Sequence, residues 1–395
     1  MNENEIIAAS SDGLYRKKWE AEIEAASMPD LLSFGTADMD YKAPGPVLSA
    51  LGEVIARGHL GYPETTDEYY QTTEAYFKRT AGWSFDARTS VIQNLGIYLA
   101  AWNVLNIMTG PGDQITILTP VHFVFKKVIL AAGRRVIECP LKNEGGNYTI
   151  DFSRLEACFA SGSRMLWFCN PSNPVGRAWS KEELSALAAL CIRYHVFVLS
   201  DDVYFGLVLP GARYTPLAAL SKEISYQTVT LYSVSKSYNL AGLRHSFTVI
   251  ENPEIMKRMR EEQDKMGLVY GQNIMGMAAQ NAALSACDAW LAALMEKIRH
   301  FRSLMEETLR PFGKEARLTP ADATYFAWID LRGLKLPPKQ LKEILLREAH
   351  ILVENGADFG KGGDGFIRWN LACSEENLKE GLERFAAFLK KHRTE

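Results

Sequence analysis

Between about residues 90 and 250 the chain alternates short, wholly apolar runs with longer amphipathic ones. "TSVIQNLGIYLAAWNVLNIMTGPGDQITILTP" (89–120) predicts a strand, a turn, a helix, a Gly-Pro-Gly-Asp turn and a second strand. "HFVFKKVILAAGRRVIECPL" (122–141) predicts a helix stopped by Gly133 and then a strand. "RMLWFCNPSNPVG" (164–176) is a buried strand running into a Pro/Asn/Gly loop, and "SKEELSALAALCIRYH" (180–195) is an amphipathic helix opened by a capping box, Ser180 with Glu183. "VFVLSDDVYF" (196–205) and "QTVTLYSVSK" (227–236) are two further apolar strands. Strands alternating with helices at this spacing predict a mostly parallel sheet covered on both faces.

After residue 274 the pattern changes. Residues 274–310 are almost wholly helical in pattern, without strong breakers. "ATYFAWIDL" (323–331), "ILVENG" (351–356) and "GFIRWNLAC" (365–373) then predict three strands, followed by the helix "SEENLKEGLERFAAFLKKH" (374–392). Helices segregated from a small sheet predict an α+β unit. The expected organisation is an N-terminal segment (1–48) packing with the small domain, a large domain (49–284) and a small C-terminal domain (285–395). A chain of 395 residues is long enough for two domains that share an interface.

Composition narrows the partners. A formal net charge of -3 gives no electrostatic reason to expect nucleic acid or an anionic membrane. No apolar run approaches the roughly 18–20 residues a membrane helix needs, and the start "MNENEIIAASSDGLYRKKWE" lacks a signal-peptide core, so a cytoplasmic protein is expected. Six cysteines (Cys139, Cys158, Cys169, Cys191, Cys287 and Cys373) stand singly, which argues against a disulfide framework and against a structural metal site.

The stretch "TLYSVSKSYNLAGLRHSF" (230–247) carries chemistry. A buried strand has no structural use for Lys236 at its end; a site that needs an amine nucleophile does. In open α/β sheets ligands gather at the carboxyl ends of strands. Asn173 follows "MLWFC", Asp201 and Tyr204 follow "VFVLS", and Lys236 follows "TVTLYSV", so all fall where one shared site would lie. A pyridoxal 5'-phosphate site requires an amine for the aldehyde, a carboxylate for the pyridine nitrogen, donors for the ring hydroxyl, and a helix N-terminus with a cation for the phosphate. Lys236, Asp201, Asn173 with Tyr204, the Gly96 turn and Arg244 supply one each.

With "NPSNPVG" (170–176), "SDDVY" (200–204), "SVSKSYNLAGLR" (233–244) and "FIRWNLA" (366–372) in this order, the sequence resembles the fold-type I pyridoxal phosphate enzymes of the class I/II aminotransferase superfamily. "FGTADMDYKAP" (34–44), "RKKWE" (16–20), "AWLAALMEKI" (289–298) and "ATYFAWIDLRGL" (323–334) are similar to elements of its MalY/PatB-like cystathionine β-lyase branch. The resemblance implies an α/β fold, with a large domain built on a mostly parallel seven-stranded sheet between helices and a smaller α+β C-terminal domain.

It also implies roles. Lys236 is implied as the Schiff-base lysine and the base at the substrate Cα, Asp201 (rather than its neighbour Asp202) as the partner of the pyridine nitrogen, and Tyr204 and Asn173 as partners of the ring oxygen. Ser233, Ser235, Arg244 and the backbone of Gly96 and Ile97 are implied for the phosphate. Tyr62, in "LGYPETT" (60–66), is implied to reach the phosphate of a partner subunit, hence a homodimer with shared sites. Arg368 is implied for the substrate α-carboxylate, with Asn173, Thr36, Ala37 and Asp38 on the substrate side.

Two positions depart from the branch. His122, in "TPVHFVF" (119–125), stands where a ring-stacking tyrosine is usual, as a flat packing ring or as a proton donor to a leaving group. "QNLGIYLA" (93–100) replaces the commoner Thr-Pro-Gly phosphate loop and leaves Asn94 as its polar residue. The implied reaction is β-elimination of a thiol from a cysteine S-conjugate or cystathionine-like amino acid, giving pyruvate and ammonia. The alternatives are an aminotransferase acting on an L-amino acid and a 2-keto acid, and a non-catalytic pyridoxal-binding body.

Overall fold

A computed structural model describes residues 5–9, 13–268 and 272–393. Seven strands form the central sheet: β1 (Val91–Asn94), β2 (Gln114–Thr119), β3 (Arg135–Pro140), β4 (Ser163–Cys169), β5 (Phe197–Asp201), β6 (Thr228–Tyr232) and β7 (Ser246–Val249). Their spatial order is β1-β7-β6-β5-β4-β2-β3. The β2–β3, β2–β4, β4–β5 and β5–β6 pairs are parallel, and only β7 runs against its neighbours, β1 and β6. Every residue of β5, β6 and β7 is buried, as expected for strands covered on both faces.

The apolar runs at 91, 114, 135, 163, 197 and 228 therefore form strands as the pattern predicts. The helices between them do too, including Ile97–Met108 and Lys181–Arg193, the latter with both halves of the Ser180–Glu183 capping box formed. β7 is the strand that the pattern hid. It is four residues long and follows a turn closed by Arg244 in the left-handed region (φ 52°).

A second sheet, ordered β8-β9-β11-β10, contains β8 (Arg317–Leu318), β9 (Phe326–Asp330), β10 (Glu354–Asn355) and β11 (Phe366–Asn370), all antiparallel. Here two expectations change. "ILVENG" is not one strand: Ile351–Leu352 pairs in parallel with Leu32–Ser33, and only Glu354–Asn355 joins the second sheet. The helical stretch from 274 is two helices, Ile274–Ala286 and Asp288–Leu309, broken at Cys287.

The N-terminal segment is fixed by a buried ion pair. Lys18 Nζ lies 3.1 Å from Asp40 Oδ2, and Trp19 Nε1 donates to Asp40 Oδ1 at 2.7 Å. Lys18 Nζ also donates to the carbonyls of Asp38 and Ala372, at 3.3 and 3.4 Å. "RKKWE" and the second aspartate of "ADMD" thus form one device that holds residues 34–41 beside β11. Asn370 Nδ2 adds donations to the carbonyls of Thr36 (2.7 Å) and Asp38 (2.6 Å). All six cysteines are free thiols. Among the described residues no cluster could hold a metal ion, and no helix is long and apolar enough to cross a membrane.

Candidate active site

The topology explains why distant residues meet. β1, β2, β4, β5 and β6 end at one edge of the sheet, and the reversed β7 begins there. Gly96, His122, Asn173, Asp201 and Lys236 follow or close the parallel strands, while Arg244 and His245 precede β7. They line one cavity of about 220 Å³, together with Ile97, Tyr204, Ser233, Ser235 and Ala37.

Lys236 Nζ donates to the carbonyl of Ala37 at 2.6 Å. Burial, offset in part by the carboxylate of Asp38, lowers its pKa to about 8, so the amine is mostly charged at pH 7 but far closer to losing its proton than an exposed lysine. Asp201 is buried, and its side chain accepts only a long bond, from Val203 N at 3.4 Å. Burial raises its pKa to about 7, which marks a carboxylate short of a cationic partner.

Its neighbour Asp202 is turned elsewhere. Adjacent residues of a strand point to opposite faces, and Asp202 accepts from Ser200 Oγ and Tyr214 OH. Burial holds its pKa up at about 8, and it does not line the cavity.

Asn173 joins two groups. Its Nδ2 donates to Tyr204 OH at 3.2 Å, and its Oδ1 accepts from Arg368 Nη1 at 3.0 Å. Arg368 is 1% exposed and lies on the rings of Phe326 (4.2 Å) and Phe359 (5.1 Å). Nη2 donates to the carbonyl of Gly35 at 2.9 Å, and Nε is buried without a protein partner.

At the opposite end, Gly96 (φ 97°) caps the helix Ile97–Met108 and leaves its first amides open to the cavity. A Cβ at Gly96 would meet Arg244 Nε only at an ordinary contact distance of 3.7 Å; it is the positive φ that favours glycine there. Ser233 Oγ donates to the carbonyl of His245 (2.6 Å), which ties the β6 end to the β7 start, and lies 2.9 Å from Ser235 Oγ, whose hydroxyl can donate to it.

Asn94, by contrast, turns into the sheet: Nδ2 donates to Thr248 Oγ1 at 2.8 Å and Oδ1 accepts from Gln263 at 3.0 Å. Tyr62 is 85% exposed and outside this cavity, as is Asp38, whose charge nevertheless reaches Lys236.

The sequence reading passed over Tyr98, Cys169 and His245. All three line the cavity. His245 Nε2 lies 3.1 Å from both Tyr69 OH and Gln280 Oε1, and burial lowers its pKa to about 4. Tyr98 hydrogen-bonds His122. The one available signal was helix geometry, since Tyr98 lies in the first turn of the helix that Gly96 opens.

The arrangement suits pyridoxal phosphate: an amine with a lowered pKa, a buried carboxylate without an ion pair, and at the far end amides, hydroxyls and a guanidinium. The family model for aminotransferase class I and II matches residues 29–385. The chain belongs to this family. Cystathionine beta-lyase PatB of Bacillus subtilis is 32% identical over 380 residues, covering 95% of this chain and 97% of that protein. The arginine–pyruvate transaminase AruH of Pseudomonas aeruginosa is 28% identical over 381 residues, covering 96% of this chain and 94% of AruH. The crystal structure of cystalysin from Treponema denticola, which contains a pyridoxal 5'-phosphate cofactor, superposes with a TM-score of 0.92 at 30% identity, covering 98% of this chain and 99% of cystalysin.

Proposed function

We propose that the chain is a pyridoxal phosphate-dependent carbon–sulfur β-lyase, which removes a thiol from a cysteine S-conjugate of the cystathionine type and leaves pyruvate and ammonia. The observation that carries the cofactor is the buried pair Lys236 and Asp201 in one cavity, each with its pKa displaced toward the neutral form. What carries the lyase chemistry is the likeness to PatB and cystalysin along nearly the full length.

Bound pyridoxal phosphate supplies an aldehyde for an amine and a protonated pyridine ring that stabilises negative charge at the substrate Cα. Asp201 holds the pyridine N–H, and the resulting ion pair relieves its own unpaired burial. Tyr204 and Asn173 orient the ring oxygen. Ser233, Ser235, Arg244 and the amides of Gly96 and Ile97 hold the phosphate.

Arg368 binds the substrate α-carboxylate through its free Nε edge, beside Ala37 and Asp38. The neutral amine of Lys236 takes the Cα proton, and the thiolate leaves from Cβ. His122 acts as a flat neutral ring rather than as the acid for that thiolate. Burial and the cations of Arg368, Lys236 and Lys127 lower its pKa to about 3, so near pH 7 it is the neutral imidazole and carries no acidic imidazolium proton.

The functional unit on this reading is a homodimer. Leu48, Ile55, Leu60 and Tyr62 form a run of exposed apolar side chains on the helix Gly45–Arg57 and the loop after it, suited to cover by a second copy. Tyr62 would then reach the partner's phosphate.

The test is a reaction of holoenzyme with L-cystathionine in the absence of any keto acid, followed for pyruvate, free thiol and the form of the cofactor. Catalytic release of pyruvate and thiol is expected. Stoichiometric conversion of the cofactor to pyridoxamine phosphate without thiol would overturn the lyase reading in favour of an aminotransferase.

A further inference from the structure

His122 is not alone on its wall of the cavity. Tyr98 OH lies 3.0 Å from His122 Nδ1, and both side chains line the cavity. The ring planes differ by 7° and the centroids are 6.4 Å apart. Nearly parallel rings joined by so short a contact between hydroxyl and ring nitrogen lie side by side, edge to edge, rather than face over face. This is the geometry in which the in-plane lone pair of an imidazole nitrogen points at a donor.

The partner rings fix the rest. Phe123 lies 4.6 Å and Phe359 6.4 Å from the imidazole centroid, so the ring is packed on sides that offer no hydrogen bond. Among the described residues Nε2 has no acceptor, so the contact with Tyr98 is the only one that selects a tautomer.

The direction of the bond follows from chemistry. An ordinary phenol keeps its proton near neutral pH, and burial together with the cations facing His122 keeps the imidazole neutral. The phenol donates and Nδ1 accepts.

We propose that Tyr98 is a positioning residue for the cofactor site: its hydroxyl fixes His122 as the Nε2–H tautomer and holds the two rings as one continuous flat panel against which the pyridoxal ring lies. Tyr98 acts through His122. The panel also explains how a histidine serves at a position where the branch usually has a larger tyrosine ring, since the phenol beside it restores the missing aromatic width. The inference rests on the reading of His122 as the stacking wall of the cofactor.

A double-mutant cycle on cofactor affinity tests it. Dissociation constants for pyridoxal phosphate are measured by reconstituting the apo forms of wild type, Tyr98→Phe, His122→Phe and the double variant. One lost hydrogen bond predicts that Tyr98→Phe weakens binding about 3- to 10-fold in the wild-type background. In the His122→Phe background it is expected to change nothing. Equal weakening in both backgrounds would mean that Tyr98 acts on its own and would overturn the proposal, leaving the cofactor site intact. An unchanged dissociation constant for His122→Ala, which removes the ring altogether, would instead overturn the stacking reading beneath it.

A second readout is independent of the cofactor. The ¹⁵N spectrum of histidine-labelled apoenzyme is expected to show His122 with a pyrrole-type Nε2 and a hydrogen-bonded, pyridine-type Nδ1 that moves downfield by several ppm in Tyr98→Phe. An unmoved Nδ1 overturns the proposal. Tyr98 is 41% exposed, so its conversion to Phe removes a hydroxyl without opening the core.

Discussion

Replacing Arg368 by lysine separates grip on the substrate from grip on the cofactor. The guanidinium spends Nη1 on Asn173 Oδ1 and Nη2 on the carbonyl of Gly35, and keeps Nε buried and unpaired. A carboxylate entering beside it gains a planar, charged donor edge in a pocket walled by Phe326 and Phe359. A hydrogen bond to a charged group contributes about 1.5–3 kcal/mol, so losing a two-pronged contact removes roughly 3–6 kcal/mol. Lysine keeps the charge but offers a point donor, which recovers part of this. The expected result is a fall in kcat/KM for L-cystathionine of about 10²- to 10³-fold, mostly in KM. The dissociation constant of pyridoxal phosphate should change less than about 3-fold. Steady-state pyruvate formation and apoenzyme titration supply the two numbers. A loss of cofactor affinity as large as the loss in kcat/KM would refute the reasoning, because it would place Arg368 on the cofactor side, acting through Asn173.

Three further outcomes are expected. Lys236→Ala should lower kcat by at least about 10³-fold and abolish borohydride-dependent attachment of the cofactor, read by mass spectrometry of the intact protein. Lys18→Met removes the nearer of two cations on buried Asp40, leaving Arg16 Nη1 at 3.9 Å, and should cost up to about 3–5 kcal/mol in urea unfolding of the holoenzyme; a shift under about 1 kcal/mol would show that the pair is dispensable. Asp201 has a folded pKa of about 7, above its unfolded value, so its protonated form stabilises the apo fold at low pH and that stability is lost as pH rises toward 7. Apo Asp201→Asn should therefore be more stable than apo wild type at pH 8, by about 2–4 kcal/mol, with the gap closing toward pH 4. A gap that widens on acidification would contradict the assignment.

Much of the fold is legible because parallel strands buried on both faces must be apolar at every position, and the runs ending at Thr119, Cys169, Asp201 and Tyr232 stand out for that reason. The site is legible for a related reason. Polar residues placed just past such runs have no structural use there, which singles out Asn173, Asp201 and Lys236. The choice of Asp201 over Asp202 was not open to patterning alone, since either residue could face the ligand; the Ser200 and Tyr214 contacts of Asp202 decide which way each turns. β7 was missed because four residues after a tight turn carry too short a signal. "ILVENG" was misread because hydrophobicity reports burial and not pairing partner, so one apolar run serves two sheets. Asn94 is polar in a plausible place, yet its amide satisfies Thr248 across the sheet. Tyr98 and His122 are 24 residues apart, and only the packing of the Ile97–Met108 helix beside the end of β2 brings them together.

The site joins two bodies of structure, and that division bears on how it works. Lys236, Asp201 and the phosphate-side groups ride on the edge of the seven-stranded sheet, where buried strands hold them rigid. Ala37, Asp38 and Arg368 ride on the second sheet and on the segment that Lys18 and Asn370 bind to it. Two contacts join these bodies at the cavity wall: Arg368, which does not itself line the cavity, to Asn173, and Lys236 to the carbonyl of Ala37. On the proposed roles, a substrate carboxylate on Arg368 would bear on Asn173 and, through its Nδ2, on Tyr204. Lys236 would have to give up its bond to Ala37 to reach an aldehyde, while Asn239 Nδ2, donating to the carbonyls of Met39 and Tyr41, keeps the 34–41 segment in place. Binding energy gathered at the α-carboxylate, remote from the bond that breaks, would in this way be delivered to the reacting centre through one asparagine.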